Sequence, residues 1–548
     1  MPVELNIAVI HEAVAATMPD AECLVWRDRR LSWAEVTERT RRLANVFVEH
    51  GLRADDRPVE PWESAQDHVA LYLTNCNEYL EGMIGGYKAR VAPFNVNYRY
   101  VADEVTSLFE DARPKAVIFH ARYAPVLAEV LERLTERPRL LLQVADESNE
   151  ALDGVVDYDE ALAAASPEPP PTAPSPDDLY LVYTGGTTGS PKGVLWRQAD
   201  FLVSALGVGR PRGREYDSLD ELVAAARPGA LRALPAPPLM HGAAHWNALS
   251  CWIAGGTVVL HSDTTRVDPH DVLATVEREQ VSSLLIVGDA FARPMLDAQR
   301  EAGYDLRSLR HIVSGGALFS SAIKRAWTEL VPGLRIVDIV GSSESGRQGV
   351  GSGTATGRFA PAATAAVLSD DRTRRLTPGA GEIGWLAQTG RMPRGYLHDP
   401  EKTARTFPVI DGTRYVVAGD RARLLADGSI ELLGRDSVTI NTGGEKVFAE
   451  EVEHALKHHP AVVDALVVGR PSERWGQEVV AVVHLDPAAA VDDRELVDAC
   501  RSHLAGYKVP KDIVRVDAIA RSASGKPDYV WALTQASRGP GSTSSTVV

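Results

Sequence analysis

The run Tyr183-Thr184-Gly185-Gly186-Thr187-Thr188-Gly189-Ser190-Pro191-Lys192-Gly193 gathers glycines, hydroxyls and one lysine in a short stretch. Glycines let a backbone approach a ligand closely, and hydroxyls, amides and a lysine offer donors to phosphate oxygens, so the run reads as a phosphate loop. It is not a Walker A loop, because Lys192 follows Pro191 rather than Gly and precedes Gly193 rather than Ser or Thr. A Gly/Thr cluster alone is also a flexible turn. Other candidates say less in isolation. His241, in Pro238-Leu239-Met240-His241-Gly242, is of a type more often structural than catalytic. Ser314-Gly315-Gly316-Ala317 is a strand-to-helix turn, Asp420 a turn residue after an apolar run, and Lys526 after Gly525 a surface lysine. His454 and His458 lie one helical turn apart but lack the glutamate of an HExxH pair and a third ligand, so they are read as a solvated helix face.

Taken in order, these runs resemble the adenylate-forming superfamily of acyl-CoA ligases, nonribosomal-peptide adenylation domains and luciferases. Residues 184–193 match its phosphate loop throughout, and the resemblance extends over roughly residues 31–528. It implies that Thr184, Gly185, Gly186, Thr187, Thr188, Gly189 and Lys192 bind nucleotide phosphates, Lys192 also serving catalysis, and that Gly315, Gly316 and Ala317 lie against the adenine. Val340-Gly341-Ser342-Ser343-Glu344 matches a Tyr-Gly-x-Thr-Glu motif whose hydroxyl approaches the α-phosphate and whose glutamate holds Mg²⁺. Such a hard cation wants oxygen ligands. Val340 replaces the tyrosine that stacks on adenine. Asp420, ending Tyr415-Val416-Val417-Ala418-Gly419-Asp420, would accept from both ribose hydroxyls, which one carboxylate can do. The run from Gly434 to Lys446 resembles the family hinge. Arg435 would contact the nucleotide, Asp436 and Ser437 would form the pivot, and Gly443, Gly444 and Lys446 would line the CoA tunnel. His241, Gly242, Ala243 and Gly288 would border the acyl pocket. Lys526, within Arg521–Asp528, would bridge the acyl carboxylate and the α-phosphate, offsetting the repulsion between two anions.

The implied activity is that of an AMP-forming acid–thiol ligase using ATP, Mg²⁺ and coenzyme A. A carboxylic acid resists thiols because hydroxide leaves poorly; transfer to AMP with release of pyrophosphate makes a mixed anhydride that CoA can open. Lys526 would obstruct the entering thiol, so the family's rotation of the small domain between the two steps is expected here. Residues 95–100, the stretch 213–232, Gly288–Pro294, Gly341–Gly346 and Gly525–Tyr529 look most like actinobacterial ligases of steroid side-chain (cholestenoate-type) acids. That implies a bulky hydrophobic acid: a steroid, a polycyclic terpenoid, or a long or branched chain. The small and apolar residues between His241 and Trp252 fit a wide pocket and a core helix equally well. Other readings are acyl transfer to an amine or a carrier-protein thiol, a ligase running only one half-reaction, and a nonenzymatic nucleotide-binding module. The joint presence of Lys526, Glu344, Asp420 and Arg435 argues against the last.

These residues need a scaffold, and the resemblance implies an α/β one: a large multi-subdomain αβαβα N-terminal domain over 1–434, a small mobile α+β lid over 437–536 and a disordered tail over 537–548. The local signals agree. Ser32 followed by Glu35 is a capping box opening a helix in 31–50. Helical and short apolar runs alternate through 69–119, which argues α/β layers. Six prolines in 166–178 predict an extended linker, and Leu179–Tyr183 a buried strand. Past Asp436 the pattern predicts a helix over 450–459, strands over 462–468 and 478–485, a helix over 492–504 and a strand near 513–516. The 548 residues, 45% hydrophobic and 24% charged, have a globular composition. The net charge of −16 disfavours nucleic acid and anionic membrane as partners, leaving the acid, ATP and CoA, with a homodimer admitted. Four dispersed cysteines, no basic-then-apolar N-terminus and no window of about 18 apolar residues predict a reduced, cytoplasmic protein without a spanning helix.

Overall fold

The computed structural model describes residues 3–186, 189–210, 214–317, 319–353, 357–442, 445–472, 475–522 and 525–538, with the side chains of 185, 186, 189, 190 and 352 outside that description. Thr187, Thr188, Gly443, Gly444 and most of the expected tail therefore lie outside the described residues.

Two large sheets dominate the large domain, beside a three-stranded one in which Gly395–Tyr396 pairs with the hairpin Leu179–Gly186/Gly189–Arg197 and a two-stranded one, Val409–Ile410 with Thr413–Arg414. The first is parallel, in the order Ala92–Asn95, His68–Tyr72, Ala116–His120, Leu140–Val144, Val156–Asp157. In the second, among the described residues, Glu22–Trp26, Thr257–Leu260, Arg232–Pro235, Ser283–Ile286, His311–Gly315 and Arg335–Ser342 run parallel. Beyond Arg335–Ser342 the sheet continues as antiparallel strands, through Gly346–Ser352 to Asp420–Leu424 and Ile430–Arg435. Helices fill the space between the sheets. One apolar core joins Val69, Leu71 and Ile118 of the first sheet to Leu24, Ala233 and Val258 of the second through Leu43, Phe47, Leu80 and Ile84. Every residue of the helix Asn77–Lys88 is buried. Its glycines lower helix propensity by roughly 1 kcal/mol each, yet they permit this depth: a Cβ at Gly86 would stand 2.3 Å from Pro93, and one at Gly82 2.7 Å from Leu71. The capping box forms as expected, Glu35 N donating to Ser32 Oγ and Ser32 N to Glu35 Oε2, and opens Trp33–Glu49.

Residues 166–178 carry neither helix nor strand, but they strap the large domain rather than join separate bodies. Asn45 Nδ2 donates to the carbonyls of Ser166 and Glu168, both at 2.9 Å, and Arg90 pairs with buried Asp178 at 3.1 Å.

In the small domain a sheet runs Glu445–Phe448, Thr439–Thr442, Gly476–Leu485, Val462–Ser472, with Asp512–Arg515 parallel beside 476–485. Alternate residues of the long hairpin feed two cores. Val467, Ala481 and Val483 meet the helices Ala449–Leu456 and Asp493–Arg501; Leu466, Val480 and Val482 meet Tyr529–Ser537. The hairpin outruns the predicted strands because Arg470 pairs with Glu478 and Asp512, both at 2.8 Å, across neighbouring strands. The helix predicted over 492–504 stops at Arg501, and Ser537, expected in a disordered tail, completes a helix. Of the pair read as a solvated helix face, His458 is exposed but His454 is not. It is half-buried, burial pushes it down to about 4, and its ring lies 4.5 Å from His458, which stacks on His503. Among the described residues no acidic, histidine or cysteine cluster could hold a metal, and no helix is long and apolar enough to cross a membrane. The four cysteines are buried and unpaired.

Candidate active site

The phosphate-loop run is an antiparallel hairpin, Leu179–Gly186 with Gly189–Arg197, in which Thr184 faces Lys192 and Gly186 faces Gly189. Strand pairing therefore extends through glycines that sequence reasoning assigned to a turn. Asn95, at the end of a parallel strand, anchors the hairpin. It accepts from Tyr183 N at 2.8 Å and donates to the carbonyls of Tyr183 and Met240 at 2.8 and 2.7 Å. One buried amide thus fixes the loop against the segment carrying His241. Lys192 reaches Asp399 at 3.4 Å.

Gly315 and Gly341 emerge at the carboxyl ends of adjacent parallel strands, the edge where open α/β sheets bind ligands. Gly316 turns with φ +83°, and Ser314 Oγ accepts from the backbone of Gly288, which opens the helix Gly288–Ala302. Ala317, in the same turn, packs beside the core beneath it. Glu344 N donates to Ser342 Oγ at 3.3 Å, and Trp196 Nε1 holds the Ser343 carbonyl at 2.9 Å. The Val340 side chain is buried with Ala365, Val367 and Leu386 in the adjoining core.

From the hinge side, Asp420 and Arg435 are register partners with a 3.4 Å ion pair. Burial raises the Asp420 carboxyl, and Arg435 opposes the shift. A turn over Asp436–Val438 links the domains; Ser437 within it is exposed. Arg435 N donates to Glu450 Oε1 at 3.2 Å, which ties the lid helix to the hinge, and Gly434 beside it turns with φ +126°, a conformation that favours glycine.

Lys526 crosses from the small domain to this edge. Its Cε lies 3.9 Å from where a Gly316 Cβ would stand, and Gly525 packs against Phe291. Solvent reaches the side chain through the cleft, yet protein surrounds it. Burial lowers its pKa, Arg435 lowers it further, and Glu344 and Asp420 oppose both. His241 is pushed down to about 3, by burial first and by Lys526 next, and its buried Nε2 has no partner among the described residues. Gly316, Glu344, Asp420, Arg435, Lys526 and His241 thus share one cleft between the domains. Lys446 stands apart, exposed on Glu445–Phe448. Gly242 starts the helix Gly242–Ile253, on which Ala243 is exposed whereas Ala244, Ala248, Leu249 and Trp252 are core.

Sequence reasoning missed the run 394–402. The buried Tyr396 donates its hydroxyl to Glu344 Oε1 at 2.9 Å, and Lys402 Nζ lies 4.1 Å from the Tyr396 ring centroid. Burial lowers the Lys402 pKa, while Glu344 and Asp399 oppose the shift. Asp399 before Pro400 signals a helix start, and Asp399 does cap Pro400–Thr406. Nothing in that signal exposes the phenol's role. Lys192, Lys402, Arg435 and Lys526 bring four cations to the cleft, interleaved with Asp399, Glu344 and Asp420, charged donors that suit phosphate oxygens.

The family model described as AMP-binding enzyme matches residues 11–397, and that described as AMP-binding enzyme C-terminal domain matches 451–526. The medium-chain acyl-CoA ligase Mig of Mycobacterium avium is 49% identical over 545 residues, covering 97% of this chain and 98% of that one. The 3-oxocholest-4-en-26-oate–CoA ligase of Rhodococcus rhodochrous is 40% identical over 552 residues, covering 97% and 96%. Among solved structures, the anthranilate CoA ligase AuaEII in complex with anthranoyl-AMP superposes with a TM-score of 0.82 at 22% identity, covering 98% of each chain, which shows the shared fold. With both domain models matched in order and relatives aligned end to end, the chain belongs to the AMP-binding enzyme family.

Proposed function

We propose that this protein is an ATP-dependent acyl-CoA ligase that activates a hydrophobic carboxylic acid as its acyl-adenylate, releases pyrophosphate, and transfers the acyl group to CoA. The observation that carries this reading is the placement of the small domain's Lys526 beside Gly316, within the field of Glu344, Asp420 and Arg435. The hairpin 184–193 with Lys192 cradles the phosphates, Asp420 accepts from the ribose hydroxyls, and Arg435 holds the nucleotide against it. Lys526 binds the attacking carboxylate and the α-phosphate together, lowering the repulsion between them as charge develops. His241, neutral at physiological pH, borders the acyl group.

Glu344 suits Mg²⁺: one oxygen takes the Tyr396 hydroxyl, and the other carries no hydrogen bond among the described residues. Bound there, the ion would neutralise charge on the phosphate oxygens. Before thiol attack Lys526 must withdraw, and the turn at Asp436–Val438 with Gly434 at φ +126° is the place for the small domain, about residues 437–536, to pivot away from 1–434. The hydrophobic acid is inferred from the activities named for the two relatives, a medium-chain and a steroid-acid ligase.

The test is incubation of purified protein with decanoic acid, ATP and Mg²⁺, with and without CoA. Pyrophosphate and acyl-AMP without CoA, and decanoyl-CoA with it, are expected. Acyl-AMP that goes only to an added amine or carrier thiol would overturn the choice of acceptor, and absence of pyrophosphate with medium-chain, long-chain and steroid acids would overturn the reading.

A further inference from the structure

Behind the adenylation motif the chain buries polar groups that its own fold leaves unanswered. Arg347 pairs across the strands with Gly341, one residue before Ser342. Its guanidinium lies on Gly207, where a Cβ would come within 2.4 Å of Nη2. The carbonyl of neighbouring Leu206 accepts from Ser250 Oγ at 3.4 Å, on the helix that begins beside His241. The loop at 205–208 therefore touches both Arg347 of strand Gly346–Ser352 and, through Ser250, the helix Gly242–Ile253.

Arg347 is half-buried and makes no hydrogen bond or ion pair among the described residues, although this protein's arginines are commonly matched with acids. Burial lowers its pKa, and no carboxylate opposes the shift. Next to it, the register slips between Val340 and Gly341, which makes Gln348 the extra residue of a bulge. Bulges beside active sites re-aim side chains. Among the described residues both amide atoms of fully buried Gln348 lack partners, and so does the buried Asn247 Oδ1, one turn before Ser250 on the helix Gly242–Ile253. Buried polar groups are normally satisfied, so each of these exceptions asks for a partner from outside the chain, a ligand oxygen or a water.

We infer that Arg347 is a specificity-determining residue that receives a hydrogen-bond-accepting oxygen on the acyl chain, beyond the carboxylate being activated. This rests on the acyl-CoA ligase reading and narrows it from hydrophobic acids to oxygenated ones. A guanidinium offers a fork of donors and no acceptor, so ketone, hydroxyl or carboxylate oxygens fit it and a plain alkyl chain does not.

The experiment compares decanoic acid with decanoic acids bearing one ketone or hydroxyl moved along the chain, and with decanedioic acid, each followed by pyrophosphate release and by CoA-thioester formation. For the wild-type enzyme, at least one oxygenated acid should exceed decanoic acid in kcat/KM by about ten- to a hundredfold, as for hydrogen bonds to charged groups. In Arg347→Met that ratio should fall toward one. Turnover of decanoic acid equal to or better than all its oxygenated partners would overturn the inference and leave the ligase reading intact; so would a preference that survives in Arg347→Met. The wild-type comparison decides even if the variant does not fold. No turnover of any acid would overturn both.

Discussion

Replacing Tyr396 by Phe deletes one oxygen from a buried ring and leaves its packing against Phe407 and Lys402 in place. What is lost is the 2.9 Å hydrogen bond to Glu344 Oε1. That bond joins a neutral hydroxyl to a carboxylate, and bonds to charged groups contribute about 1.5–3 kcal/mol net. The loss falls on a group that orients the proposed metal ligand, where outer partners typically cost roughly 10–100-fold in metal affinity or activity. The expected result for Tyr396→Phe is therefore a rise of about tenfold or more in the Mg²⁺ concentration needed for half-maximal pyrophosphate release. Much of the rate should return at saturating Mg²⁺, with the melting temperature little changed. The assay is pyrophosphate release with saturating acid and ATP across a Mg²⁺ titration. An unchanged Mg²⁺ dependence, whether or not the rate drops, would refute the assignment of Glu344 as the ligand that Tyr396 holds in place.

Gly341→Ala would set a Cβ 2.0 Å from the Gly346 carbonyl oxygen. Backbone on both sides cannot give way cheaply, so a destabilisation of about 1–3 kcal/mol is expected, read as a lower Tm together with loss of adenylation as Ser342 and Glu344 shift; unchanged Tm and activity would contradict it. Glu450 gives a pH-dependent effect. Burial raises its carboxyl above the ordinary 4.5, and Glu453 adds to this. The closed arrangement therefore binds a proton that the open one releases. Closure is fully supported below pH 4.5 and weakens as pH rises from there through the raised value. Small-angle scattering across that window should show the wild type opening and Glu450→Gln staying closed; matching profiles would contradict a role for Glu450 in holding the lid helix against the hinge.

Much of the candidate site was legible in the amino-acid order because the proposed chemistry demands particular types at particular places. The glycine-threonine hairpin, Glu344 after two serines, Asp420 and Lys526 all belong to runs that few other tasks would require. The structure assembles the described members of that set in one cleft. The helix opened by Ser32 and Glu35 was legible for a similar reason, since a capping box is a local device. Less legible were features decided by distant partners. Whether 184–186 turn or pair depends on a strand opposite, and Asn95, 88 positions away in the chain, holds Tyr183 just before them. The proline run looked like a joint, but Asn45 and Arg90 pin it. Tyr396 reads as one more buried aromatic until its hydroxyl is seen on Glu344. His454 has a polar pattern, and only the opposing surfaces show that it is half-buried.

The central claim is that Lys526 acts in the first half-reaction and stands aside in the second. The direct measurement is Lys526→Ala assayed separately on the two steps: pyrophosphate release from free acid and ATP, and thioester formation from preformed acyl-adenylate and CoA. Removing a positioned charge that acts as the transition state develops should slow adenylation by about a hundred- to a thousandfold, while thioester formation from the adenylate changes by less than about tenfold. Equal losses in both assays, or an undiminished first step, would contradict the account.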